Sequence, residues 1–244
     1  MSDKINFNGL DILKDKLKSL RPLNAAELER LREEFMVDST YNSNAIEGNS
    51  LSLRETALVL QQGVTIDGKR VKDHLEAIGH RDAFYYMAEL ADVGSMLTER
   101  VIRELHSLVL MNDARNKGIY RTIEVAIAGA RNSPSPHYLI AERMDALLAD
   151  YEDMKRDMYI IEAIAAFHLR FEGIHPFIDG NGRTGRLIMN LELIKSGMMP
   201  VNIKFTDRVK YYDCFDADGF EPLARLLLAY EEEEILKYIA KFGR

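Results

Sequence analysis

Apolar residues recur at three- and four-residue spacing along almost the whole of this 244-residue chain, the pattern of amphipathic helices. Leu10, Leu13, Leu17 and Leu20 mark a short helix that stops before Pro22. Asn24 followed by Glu27 has the form of a capping box, and Leu28, Leu31, Phe35 and Met36 then carry the helical period towards Ile46. Gly48 supplies a left-handed C-terminal turn, and Ser52 with Glu55 opens a helix that Gly63 ends. A further helix is expected over 71–92, with Leu75, Ile78, Phe84 and Leu90 apolar. Thr98 caps the next, whose stripe is Val101, Ile102, Leu105, Leu108 and Val109. Helices over 141–155 and 158–172 follow, the second stopped by Gly173, and the pattern Leu187, Ile188, Leu191, Ile194 runs to Gly197. Thr206 is expected to cap a helix containing Tyr211 and Tyr212, and the last helix starts near Pro222, its Glu231–Glu234 run reading as a solvated face.

The period changes once. Residues 124–128 alternate, a turn-rich stretch follows, and the chain resumes with His137, Tyr138, Leu139 and Ile140, which reads as one β-hairpin in a helical protein. A solitary hairpin is marginal and must lean on the helices. The expected fold is therefore mainly α with one hairpin, in one compact unit: an N-terminal helical region over 1–95, a core over 96–205 and C-terminal helices over 206–244.

Composition narrows the classes. With 47% hydrophobic residues the chain can bury a full core. Cys214 is the only cysteine, so no internal disulfide is possible, which suits a reducing cytoplasm. No apolar run approaches the roughly 18 residues of a membrane span, so no membrane is expected. A net charge of −7 argues against nucleic acid as a partner, since phosphate backbones demand surplus Lys and Arg. His74, His80 and His106 have no paired ligand spacing and read as ordinary core or surface histidines.

The chemistry concentrates in residues 175–186, HPFIDGNGRTGR. A glycine-rich turn entering a helix offers unpaired N–H groups and the positive end of the macrodipole to an anion. Arg183 and Arg186 stand three apart, on one helical face, where guanidinium groups can grip phosphate oxygens. His175, with a reference pKa of about 6.5, is the candidate base. Asp179 is a hard oxygen ligand beside a phosphate site, suited to Mg²⁺. Phe177 is expected to anchor the loop in the core. Glu47, in the last turn of its helix, is a carboxylate where the dipole disfavours negative charge, so something should compensate it.

The 175–186 stretch resembles the signature of the Fic (Fido) family: His175, Phe177, Asp179, Gly180, Asn181, Gly182, Arg183 and Arg186 match it without departure. The resemblance covers about residues 40–220. It implies a helical Fic fold with a hairpin flap and an N-terminal inhibitory helix, and a nucleotidyltransferase that moves AMP from ATP to a Tyr, Thr or Ser hydroxyl of a target protein. In that reading His175 deprotonates the hydroxyl and Asp179 holds Mg²⁺. Gly180, Asn181, Gly182, Arg183, Thr184, Gly185 and Arg186 bind the nucleotide, with Tyr211 and Tyr212 near the adenine. Gly219 stands about where an asparagine often contacts the base, which leaves the base less certain than the phosphates. Ser43, Glu47, Gly48 and Asn49 are similar to the inhibitory motif, implying a pair between Glu47 and Arg186. The run Gly118–Arg121 introduces the flap, whose residues Val125, Ala126, Ile127 and Ala128 would dock a strand of the target. Gly182 stands where phosphotransferases of the superfamily carry a lysine, which disfavours that activity. Removal of AMP with Glu47 orienting a water, and a latent nucleotide-binding interaction module, stay open, as do self-modification and homo-oligomerisation.

Overall fold

The computed structural model describes residues 4–126 and 133–243. Ten α-helices follow in order: α1 (Asn8–Lys18), α2 (Ala25–Ile46), α3 (Leu53–Gln62), α4 (Val71–Asp92), α5 (Glu99–Val109), α6 (Ile140–Asp157), α7 (Ile160–Ile174), α8 (Asn181–Lys195), α9 (Arg208–Asp213) and α10 (Glu221–Phe242). The punctuation read from sequence sets several of these ends. Asn24 and Ser52 each accept from the N–H three residues on while Glu27 and Glu55 reach back, forming both capping boxes, and Thr98 caps α5. Gly48, Gly63, Gly94 and Gly197 all take positive φ.

α8 is the axis of the fold. It is buried on all sides over most of its length, as a helix at the centre of a helical domain must be, and α4, α7, α5 and α2 pack around it. α10 lies on the far side of α7, and α1 lies on α10. No helix among the described residues is long and apolar enough to cross a membrane.

Four local expectations are corrected. The second strand of the hairpin is absent: His137–Leu139 is a 3₁₀ turn that runs into α6. Four residues are too few to tell a period of two from one of 3.6, and the longer stripe Ile140, Met144, Leu147, Tyr151 decides for helix. Pro136, with φ near −53°, starts the turn. Of the first strand, Val125 and Ala126 are extended coil without a ladder, while Ile127 and Ala128 lie outside the described residues. Gly173 does not end α7. The helix continues through buried Ile174, and His175 itself takes the left-handed turn at φ 52°, ψ 61°. Thr206 caps nothing, because a 3₁₀ turn over Phe205–Asp207 leads into α9. Finally, Glu231 is buried rather than solvated: its carboxylate accepts from the Met199 N–H at 2.8 Å, and burial pushes its pKa up to about 7.

Candidate active site

The site is assembled where the C-terminus of α7, the turn 175–180 and the N-terminus of α8 meet the ends of α2 and α4. Its turn is fixed mostly from within. Asn181 accepts from the Phe177 N–H at 2.9 Å and donates to the Phe177 carbonyl at 2.8 Å, closing the loop on itself. Phe177 is fully buried and stacks on His106 with ring centroids 3.6 Å apart and planes 4° from parallel. The Gly118 N–H donates to His106 Nδ1, so Nε2 must carry the proton that bonds the Asp179 carbonyl; both distances are 2.9 Å. Burial lowers the His106 pKa to about 4 and keeps this tautomer neutral. His106 is thus more than a packed core histidine: it fastens the signature turn to the segment after α5. Nothing in the sequence marked it.

His175 has 19% of its side chain exposed. Its Nδ1 is buried without a hydrogen-bond partner, 3.8 Å from Glu172, which leaves Nε2 as the nitrogen able to meet a substrate. Burial holds the imidazole pKa below its ordinary value and Arg121 adds to the effect, against the Glu172 carbonyl, Glu47 and Asp179. The neutral, proton-accepting form therefore dominates near neutrality. Glu172 is a second residue missed from sequence. Burial first and Glu47 next raise its carboxyl pKa to about 8, with Arg186 opposing, and its Oε1 has no partner. A carboxylate in the last turn of a mostly apolar helix was the available signal.

The two arginines stand in the first two turns of α8 but answer to different helices. Arg183 is buried, its Nη2 3.1 Å from Asp179 and its Nη1 3.2 Å from Glu76 of α4; Nε and Nη1 make no hydrogen bond. Arg186 is buried as well. Its Nε donates to Ser43 Oγ at 3.0 Å, and its Nη2 to the Ser43 carbonyl and to Glu47 Oε1, both at 2.8 Å. Tyr211 and Glu47 raise the Arg186 pKa despite burial. Both guanidinium charges reach His80, whose pKa burial and these charges lower to about 3. Glu47, the C-cap of α2, carries a side chain 33% exposed and stands over Gly182, where a Cβ would collide with Oε1. No side chain caps α8, and the first N–H groups of a helix have no intrahelical partner. The compensating group expected for Glu47 is Arg186.

Asp179 is half exposed, at 49% of its side chain. Burial opposes its ionisation, but Arg183, the Gly180 N–H at 2.6 Å and Lys72 outweigh it and hold the carboxyl below the usual range. A single ionised, outward carboxylate fits Mg²⁺, which keeps several waters and shares phosphate oxygens. Among the described residues no cluster of three metal-ligating side chains occurs.

Several residues grouped with the nucleotide face elsewhere. Thr184 is fully buried, and Gly185 packs against α7, where a Cβ would stand 2.7 Å from Glu172 Oε1. Each lies a further 100° round the helix from the anion side. The Asn181 side chain is spent on Phe177. The two tyrosines do reach the site: the buried Tyr211 hydroxyl lies 2.7 Å from His168 and 3.5 Å from Arg186 Nη1, and Tyr212 donates to the Ile46 carbonyl, next to Glu47, at 3.3 Å. Asn49 points away from Arg186 and donates to Glu76 and the Asp73 carbonyl, shaping the turn after α2.

A helical fold that gathers a histidine, a carboxylate and two arginines at the start of one helix is of the Fic type, and the comparisons agree. The Fic/DOC family model matches residues 96–193. Protein adenylyltransferase Fic of Culex quinquefasciatus is 34% identical over 86% of this chain and 42% of its own. Among solved structures, Fic-1 (aa134–508) of Caenorhabditis elegans is 30% identical with a TM-score of 0.85, covering 97% of this chain and 72% of that one. A Fic-domain signalling protein of Bacteroides thetaiotaomicron reaches 0.85 at 28% identity over 94% of both. The chain belongs to the Fic/DOC family. It spans less than half the length of the curated insect relative.

Proposed function

We propose that this chain transfers AMP from ATP to a hydroxyl of a target protein, and that Glu47 holds it latent. The observation that carries the reading is that Arg186 already holds an anion, the Glu47 carboxylate, at 2.8 Å, with that carboxylate lying over Gly182 in the first turn of α8. An anion site so built takes a polyphosphate when Glu47 leaves. The similar Culex protein is named an adenylyltransferase, which supports AMP as the transferred group.

His175 Nε2 takes the proton of the target hydroxyl, whose oxygen bonds to the α-phosphorus as the bond from that phosphorus to the bridging oxygen of the β-phosphate breaks. Pyrophosphate departs with that oxygen. Arg183, Arg186 and the first N–H groups of α8 hold the outer phosphates, so catalysis is positioning and charge stabilisation. Asp179 would hold Mg²⁺, which neutralises phosphate charge when bound. Val125, Ala126, Ile127 and Ala128 would present main-chain groups to the target.

The test compares wild type, Glu47→Gly and Glu47→Gly/His175→Ala, incubated with protein extract and ATP labelled at either the α- or the γ-phosphate. Glu47→Gly should raise α-label transfer roughly tenfold or more. Adding His175→Ala should remove about 10²- to 10⁴-fold of it. Transfer of the γ-label instead, or no transfer by Glu47→Gly, overturns the assignment.

A further inference from the structure

Arg121 carries a charge into the interior and spends it on backbone. Its side chain is buried, yet the nearest carboxylate, Glu124, is exposed and 3.5 Å away. The guanidinium faces carbonyls instead. Nε donates to the His175 carbonyl at 2.9 Å, Nη1 to Ile123 at 2.8 Å, and Nη2 to Ser135, with the Ile174 carbonyl 3.5 Å off. The Arg121 N–H adds a bond to the Pro176 carbonyl at 2.9 Å, and the Ser135 N–H one to Gly173 at 3.2 Å.

These partners fall into two groups. Ile174, His175 and Pro176 are the bend that aims the imidazole. Ile123 and Ser135 flank the segment that the proposed function assigns to the target. Glu124, on the same segment, receives His137 Nδ1 at 2.8 Å, a second side-chain contact between its described ends.

Among the described residues His175 is the only non-glycine with positive φ, a strained conformation that persists only where its surroundings enforce it. The bond from Arg121 to the His175 carbonyl is such an enforcement. We infer that Arg121 is a positioning residue for the transfer reaction: one guanidinium fixes the backbone of the histidine base and ties it to both ends of the target-facing segment. The inference rests on the proposed activity, because that activity makes His175 the base.

Its charge supplies a readout that packing alone would not. The groups facing His175 are Glu172 on α7, Glu47 at the end of α2, Asp179 in the turn and Arg121. Arg121 is the one whose charge lowers the imidazole pKa, while Glu47, Asp179 and the Glu172 carbonyl raise it. Neutralising Arg121 must therefore move the imidazole pKa up and leave less of it neutral at a given pH.

The experiment places Arg121→Lys and Arg121→Gln in the Glu47→Gly background. Arg121→Lys, which keeps the charge but cannot span four carbonyls, should lower kcat about ten- to hundredfold. ATP affinity by calorimetry should stay within about twofold in both variants, since the anion pocket does not touch Arg121. Arg121→Gln should also move the acid limb of the pH–rate profile upward, whereas Arg121→Lys should not. A fall in kcat and ATP affinity together, in step with lost thermal stability, would reduce Arg121 to scaffolding and end the inference, as would an unmoved acid limb in Arg121→Gln. If Arg121→Gln does not fold, the kcat-against-affinity split of Arg121→Lys decides alone. Should Glu47→Gly transfer no AMP at all, the failure belongs to the proposed function. NMR titration of His175 in otherwise wild-type protein then still tests the Arg121 contact, with a higher midpoint expected in Arg121→Gln and an equal one counting against it.

Discussion

Two adjoining loops serve the candidate site, and they are held in different ways. The turn 175–180 is closed by its own residues: Asn181 grips Phe177 from both sides and Gly180 takes the left-handed start of α8. Among its described residues the stretch from Gly118 to Pro136 is closed by one side chain, Arg121, whose guanidinium bonds the Ile123 and Ser135 carbonyls across it. It is fastened through Arg121, Glu124 and His106, whose partners lie up to 73 positions away. In the proposed reaction the first loop is the seat for phosphate. The second, anchored at its ends, would suit a surface that accepts partners of varied shape.

The sharpest way to break this contrast is Arg183→Ala. It should leave Glu76 and Asp179 with only the half-exposed Lys72, cost about 3 kcal/mol and abolish measurable nucleotide binding in calorimetry of the Glu47→Gly form. Undiminished binding would show that the seat is not electrostatic. Next is Gly185→Ala, whose Cβ would stand 2.7 Å from Glu172 and 2.8 Å from the His168 ring. Overpacking of this kind costs about 1–3 kcal/mol, and thermal denaturation should show a drop of several degrees. On the other loop, Val125→Pro removes one N–H and should raise KM for a protein target several-fold without changing KM for ATP; equal effects on both would dissolve the division of labour.

The smallest effect concerns Glu172. A carboxyl with a folded pKa near 8 keeps a proton that the unfolded chain releases above about 4.5, so stability should decline as pH rises through that window. In Glu172→Gln the decline should flatten, leaving a lesser slope from Glu231, raised to about 7 in the same direction. Parallel slopes in denaturant titrations of both forms would place Glu172 in water.

What the sequence disclosed follows the same contrast. Capping boxes, glycine stops and the 175–186 turn are written in neighbouring residues, so local chemistry was enough to locate them. The pair between Glu47 and Arg186 spans 139 positions and was reached only through resemblance to a family. The hairpin was misread at 137–140 because four residues carry no usable period. His106, Arg121 and Glu172 escaped because each acts on backbone or charge brought near by folding. The left-handed backbone of His175 escaped for a related reason, since Gly173 looked the better stop until the burial of Ile174 carried α7 past it.

The contact between Glu47 and Arg186 joins two parts of one molecule, and that sets how such a blockade behaves. In the latent state proposed above, a plug tethered in this way cannot be diluted away. The fraction of molecules it occupies is the same at any protein concentration, and a soluble anion must compete against an effective concentration fixed by the end of α2. Because Glu47 sits on the helix cap just before the left-handed Gly48, letting go requires one frayed terminal turn rather than a reordered domain, so the hold can be loosened by whatever tugs on that short stretch of chain.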